Sequence, residues 1–397
     1  MSASQGQPSS SPGSSGLGGP ACGGQRPLDT DRALLSGAWE TADLLRCFQA
    51  FWRVRECGRW ASWGQANVEI RQTEQGWTYG HLHRCGSVWT CPACAHQIAL
   101  ERISEVVQAV TWWRGKRQDN DVVMMSLTVR HTAGDDLKAL RQGVSEAWRR
   151  VQQSRAWRQM REECCVRHLI RGHDITWGDN GWHPHIHVMM LAQRPDEAAL
   201  WQDALSVLWR HAVEQVMGAK HLPTKRRACV VEACHDASYV GRLGLEVSSP
   251  SAKQARQGHM APMQVAYALA HAVGEERDRL ASAWRAYAIG MQGCHQLQWS
   301  RGLREALGEP PSDQQIVAND VDAVNDVVIA EIPQETWRSM ALLRSVSKLD
   351  ALGRATAGQP VDARRDALLD FFEGLERHAA ECEWVPRRGT VMLHWRE

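Results

Sequence analysis

Residues 181–190 read Gly181-Trp182-His183-Pro184-His185-Ile186-His187-Val188-Met189-Met190, with two histidines flanking one apolar residue ahead of an apolar run. Alternate residues of a β-strand share a face, so His185 and His187 present two imidazoles side by side. Upstream, His168-Leu169-Ile170-Arg171-Gly172-His173-Asp174-Ile175-Thr176-Trp177 has the character of a second strand, and Gly178-Asp179-Asn180-Gly181 that of a turn. The two runs form a hairpin on this reading. Its neighbouring strand then offers Asp174 or His173 as a third ligand. Imidazoles with a carboxylate suit a divalent cation that keeps open positions.

Working outward, residues 122–131 read as a strand, 136–159 as a helix and 168–177 with 185–191 as the hairpin. Residues 195–217 read as a second helix opened by Pro-Asp, and 228–233 as a last strand. The order β-α-β-β-α-β is that of the ferredoxin-like split unit, an α+β fold whose antiparallel sheet keeps one face for helices and the other for a site. Beyond it, His235-Asp236-Ala237-Ser238-Tyr239-Val240-Gly241-Arg242 places Tyr239 and Arg242 on one helix face. The chain has only four tyrosines, and this one lacks an apolar periodic neighbourhood.

Five regions follow from composition. Residues 1–26 are rich in Ser and Gly and too poor in large apolar side chains to offset the entropy of ordering, which predicts disorder. Residues 27–97 form an N-terminal region dense in tryptophan, 98–256 the block of strands and helices that carries the histidine motif, 257–310 a helical extension, and 311–397 an acidic C-terminal region with a helix over 362–382. In the N-terminal region Cys91-Pro92-Ala93-Cys94 has the spacing with which two thiolates grip one tetrahedral metal. Cys57 and Cys85 are each followed by a glycine that permits a close turn. Four sulfurs close a structural zinc site. His81, His83 or His96 are the alternatives to Cys57, which stands furthest away in sequence. Twelve cysteines, one cluster and scattered singles, fit a reducing compartment better than a disulfide framework.

The net charge of +1 does not announce a nucleic-acid binder, but its distribution is uneven. From residue 301 onward there are 12 basic and 17 acidic side chains, against 34 and 28 before it. A modest basic bias thus falls on the part that carries the motifs, so a polyanion would be held there by a local groove more than by bulk attraction. No apolar run approaches the roughly 20 residues of a membrane span, and no secretory signal opens the chain, so a cytoplasmic protein is expected. Among the 19 tryptophans, Trp177 and Trp182 beside the histidine motif either stack on exposed bases or pack the core.

The chain resembles the rolling-circle plasmid replication initiators of bacteria, a branch of the HUH endonucleases, which are named for their histidine, hydrophobic, histidine motif. The likeness runs from about residue 57 to 305. It is carried by Cys85-Gly86-Ser87-Val88-Trp89-Thr90-Cys91-Pro92-Ala93-Cys94, by Met124-Met125-Ser126-Leu127-Thr128-Val129-Arg130-His131, by the segment from Thr176 to Met190, and by Ser238-Tyr239-Val240-Gly241-Arg242. Ala252-Lys253-Gln254-Ala255-Arg256, Ala261-Pro262-Met263-Gln264 and Leu297-Gln298-Trp299-Ser300-Arg301-Gly302-Leu303 add to it.

The resemblance implies that His185, His187 and Asp174 hold Mg²⁺ or Mn²⁺, that Tyr239 is the nucleophile, and that Cys57, Cys85, Cys91 and Cys94 hold Zn²⁺. It implies plasmid origin DNA, double- and single-stranded, as the partner, with a host helicase and DNA polymerase following. Three positions depart from the family pattern. Arg242 stands where a lysine is usual; it keeps the charge for clamping a phosphate but cannot readily give up its proton. His235, with Asp236 beside it, stands where relatives often have a water-activating glutamate. Asp174 stands where glutamate is common. The alternatives are a conjugative relaxase, whose tyrosine precedes its histidines, or a single-strand transposase of the same superfamily, and a non-catalytic zinc-containing DNA-binding regulator.

Overall fold

The computed structural model describes residues 38–73, 76–235, 259–318, 327–342 and 344–381. Its central feature is a five-stranded antiparallel sheet. Five strands, β3 (Asp121–Thr128), β4 (His168–Gly178), β5 (Gly181–Ala192), β6 (Cys229–Cys234) and β7 (Leu297–Trp299), lie in the order β6-β3-β5-β4-β7. An α+β chain with antiparallel sheets is thus present, as expected.

Alternation along the strands sorts the two faces. Val123, Met125 and Leu127 of β3 and Ile186, Val188 and Met190 of β5 meet two helices, α3 (Leu137–Gln153) and α5 (Gln202–Met217), in one apolar layer. Met124 of β3, Met189 and Leu191 of β5 and Ile170 of β4 face the other way, against Val106, Ala109, Val110 and Trp113 of α2 (Pro92–Lys116). Helix α2 begins with Pro92, where the missing N–H costs nothing.

The helix expected over 136–159 is interrupted. The Asp136 carboxylate accepts from Ala139 N at 2.8 Å and starts α3. Ser154 then takes an extended backbone, and its hydroxyl accepts from Trp157 N at 3.1 Å, opening α4 (Arg155–Glu163). A serine that satisfies a free N–H competes with helix continuation at that point. Trp148 and Trp157 still meet edge to face across the break, centroids 5.0 Å apart.

The hairpin turn is tight. β4 ends at Gly178 and β5 starts at Gly181, opposite each other in register. Gly181 has φ +81°, and a Cβ there would approach the Ala133 backbone to 3.2 Å, so glycine is required on both counts.

A second, three-stranded sheet has the order β2-β1-β8, with β1 (Asn67–Thr73), β2 (Gly76–Gly80) and β8 (Val328–Pro333). Strands of the N-terminal and C-terminal regions, far apart in sequence, therefore meet in one sheet. Val68, Ile70, Ile329 and Ile332 are buried in the same core as Trp337 of α8 (Gln334–Leu342), Leu349 of α9 (Ser345–Ala355) and Leu368 of α10 (Val361–Glu381). Trp337 Nε1 donates to Gly58 O at 2.9 Å. Residues 259–310 supply two long helices, α6 (Pro262–His271) and α7 (Gly274–Met291), a short one over Leu303–Leu307, and strand β7. The tail 1–26 lies outside the described residues.

Candidate metal centres

β5 sits between β3 and β4, and register fixes what lies beside its histidines. His185 pairs with Asp174 on one side and Thr128 on the other; His187 pairs with Gly172 and Ser126. All these positions share the face that α2 partly covers. The ligand atoms of Asp174, His185 and His187 lie within 4.8 Å of one another. His187 Nε2 is 3.2 Å from Asp174 Oδ2, and His185 Nε2 also meets Oδ2. The Asp174 carboxylate is buried, as is His187, and a buried charge is costly unless a cation or donor compensates it. Bonds of about 2.1 Å around an octahedral ion place neighbouring donors about 3 Å apart, so the set fits a divalent cation.

The surroundings orient these groups. His187 Nδ1 meets Ser126 Oγ at 2.8 Å, which leaves Nε2 turned toward Asp174. His183, the third alternate histidine, bonds Thr128 Oγ1 through Nε2 at 2.6 Å and stacks on His131, centroids 4.5 Å apart. Burial, with His185 and His131 nearby, lowers the His183 pKa to about 3, so it is a neutral ring. His173 points through the sheet to the opposite face. Of the alternatives for the third ligand, Asp174 is the one beside the pair. Sequence reasoning did not single out Ser126 and Thr128, although both stand at alternate positions of the quoted β3 motif; only the strand register shows that they face the histidines.

The four cysteines Cys57, Cys85, Cys91 and Cys94 also converge, all buried, with sulfurs within 4.8 Å. Cys57 Sγ lies 3.5 Å and Cys85 Sγ 3.7 Å from Cys94 Sγ. Zn–S bonds of about 2.3 Å give a tetrahedron edge of about 3.8 Å, close to these separations. Backbone N–H groups of Cys85 and Ser87 point at Cys57 and Cys85 sulfurs, both at 3.4 Å, as donors to thiolates would. Cys91 precedes α2 and Cys94 lies in its first turn, whose N-terminal dipole favours negative charge.

Of the other expected residues, His235 lies away from the triad. His235 follows β6 at the end of the sheet where β3 starts: its Nδ1 bonds Asp121 at 2.9 Å and its Nε2 bonds Asp196 at 3.0 Å. Thr128, beside the triad, is at the other end of β3, roughly 24 Å away for a strand of this length. Asp236, Tyr239 and Arg242 fall in 236–258, outside the described residues. The chain is described again from His259, and Met260 pairs with Trp177 next to the hairpin turn. Of the other tyrosines, Tyr79 and Tyr287 are buried, and burial pushes both phenols well above the usual range; Tyr267 is exposed. Trp177 and Trp182 are core residues: Trp182 Nε1 donates to Ala283 O at 2.9 Å and its ring lies 4.8 Å from Tyr287.

Comparison with known proteins gives this arrangement a family context. Residues 81–216 match the profile of a family described as "Replication protein". Over these residues the chain is similar to a replication-protein domain. The match spans Cys85, Cys91, Cys94, Asp174, His185 and His187, and it bears out the resemblance to rolling-circle plasmid replication initiators. The chain is similar to "Protein rep" of Streptomyces lividans, with 26% identity over 313 residues, covering 61% of this chain and 67% of that protein. It is also similar to "Neomycin resistance protein" of Streptomyces cyanogenus, with 30% identity over 135 residues, covering 28% of this chain and 30% of that one. No solved structure matches. Among the described residues, no helix is long and apolar enough to cross a membrane.

Proposed function

We propose that the protein initiates rolling-circle replication of a bacterial plasmid by nicking one strand at its origin. The observation that carries this reading is the Asp174, His185 and His187 triad, held in register on a central strand within the residues similar to a replication-protein domain. The sheet order β6-β3-β5-β4 around an element order β-α-β-β-α-β supports a ferredoxin-like HUH endonuclease core.

In the proposed reaction the Tyr239 phenolic oxygen attacks the scissile phosphorus, its proton leaves to solvent or a nearby base, and the O3′–P bond breaks with the departing O3′ taking up a proton from solvent. The products are a 5′-phosphotyrosyl link and a free 3′-hydroxyl, which primes a host polymerase while a host helicase unwinds the strand. Mg²⁺ or Mn²⁺ on the triad would supply Lewis-acid stabilisation of charge on the phosphate oxygens. Arg242 clamps the phosphate through paired N–H donors. Cys57, Cys85, Cys91 and Cys94 would hold a Zn²⁺ that ties the N-terminal region together. His235 stands where relatives often have a water-activating glutamate, and its ion pairs with Asp121 and Asp196 favour a structural part for that ring.

Supercoiled plasmid carrying the cognate origin, incubated with protein and Mg²⁺ or Mn²⁺, tests the reading. Relaxation to the nicked form with protein attached to the 5′ end is the expected result. A protein that binds the origin but never nicks it would instead be a regulator.

A further inference from the structure

Directly behind the triad, on the opposite face of the sheet, lies a cleft of about 470 Å³ between β4, α3 and the segment leading into β7. Asp174 and Gly172 point to the metal face, so the intervening Arg171 and His173 point into this cleft. Both are buried, at 8% and 6% exposure. Arg171 donates to Gln298 Oε1, while its Nε and the Nδ1 of His173 have no hydrogen-bond partner. Among the described residues no carboxylate pairs with Arg171 or with Arg141, which reaches in from α3 and bonds Gly290 O at 2.9 Å. The one carboxylate on the wall, Glu146, is already held by Arg149 at 2.6 Å.

A buried guanidinium without a counter-charge is unfavourable on its own, and unfilled donors at the floor of a cleft add to that cost. His173 places a second buried nitrogen, its ring Nδ1, without a hydrogen-bond partner beside Arg171 in the cleft. We infer that this cleft binds a phosphate group, with the Arg171 and Arg141 guanidiniums as its main partners and Gln298 and His173 completing the set. Arginine suits that role because its planar fork matches two phosphate oxygens. The site is separate from the metal centre, and the inference does not depend on nicking.

The test uses the full chain with inorganic phosphate as probe, in the presence of a chelator so that phosphate on a metal plays no part, at constant ionic strength. Calorimetry and thermal melting should show binding and a phosphate-dependent rise in Tm. Arg171→Gln and Arg141→Gln should each weaken it at least tenfold. Without phosphate, Arg171→Gln should melt at or above the parent's Tm, since an unpaired buried charge has gone; a merely structural arginine would lower it. Should Arg171→Gln not fold, Arg141→Gln carries the test from the half-buried surface of α3.

The source of the phosphate is read by competition. Displacement by a short oligothymidylate assigns the site to a DNA strand; displacement by thymidine monophosphate alone assigns it to a free nucleotide. A parent protein with no phosphate-dependent signal at millimolar concentration, or an Arg141→Gln variant that binds as the parent does, overturns the inference.

Discussion

At the scale of single residues, Asp174, His185 and His187 act as a set because each is oriented by something else. Asp174→Ala leaves two neutral imidazoles, which hold a hard cation poorly. It should lower Mn²⁺ affinity and origin nicking together by about a hundredfold or more, read by calorimetry and by conversion of supercoiled plasmid. His187→Ala should do the same. Ser126→Ala removes only the bond that turns His187, so its Mn²⁺ affinity should fall about 10–100-fold with an unchanged circular dichroism spectrum. Wild-type affinity in that variant would mean the Ser126 contact orients nothing. Tyr239→Phe removes one oxygen and little volume; it should abolish the covalent DNA adduct and leave origin binding nearly intact. An adduct that persists would move the nucleophile to Tyr267, since Tyr287 is fully buried.

At the scale of elements, the β4–β5 hairpin is the part on which the site depends. A one-residue slip would send His185 and His187 to the opposite face, and the two-residue connection with Gly181 at φ +81° is what pins the register. Gly181→Ala should cost about 1–2 kcal/mol, measured by urea unfolding, with a parallel loss of Mn²⁺ binding if the register loosens. At the far end of the sheet, bonds to Asp121 and Asp196 hold the His235 pKa above its ordinary value. Its contribution to stability is therefore full below its unfolded pKa of about 6.5 and lost as pH rises through the raised folded value. His235→Asn should lower Tm slightly at mildly acidic pH and not at alkaline pH. The effect should be small because the ring is 55% exposed. A loss of Tm that is equal at both pH values would show that its packing matters and its charge does not.

At the scale of the whole molecule, the C-terminal part closes the fold around the cysteine cluster. β8 pairs with β1, and Trp337 is fully buried with its Nε1 on the carbonyl of Gly58, the residue after Cys57. Trp337→Ala should destabilise the protein by about 3–5 kcal/mol and shorten the retention of zinc through gel filtration, although it lies far from the cysteines in sequence. Cys91→Ser should lose that zinc outright. A zinc content near one per chain in the parent and near zero in Cys91→Ser is the expected pair of results, and a zinc-free parent would remove the thiolate site from the account.

Much of this was legible in the chain because it rests on short-range periodicity. Alternation put His185 and His187 on one face, a Gly-bounded turn joined them to the strand of Asp174, and the run of strands and helices over 121–234 follows from local pattern and local caps. The Cys91 and Cys94 pair, two residues apart at a helix start, is equally local. What the tertiary structure alone decided depends on contacts between residues distant in sequence. Strand register set Asp174, and not His173, beside the histidines. The packing of Cys57 across from Cys85 set it in the cluster. The return of residues 328–333 to β1 and the gathering of Arg141, Arg171 and Gln298 around one cleft leave no periodic trace. Sequence pattern records which face of an element is buried, while the partner that buries it is chosen by three-dimensional packing.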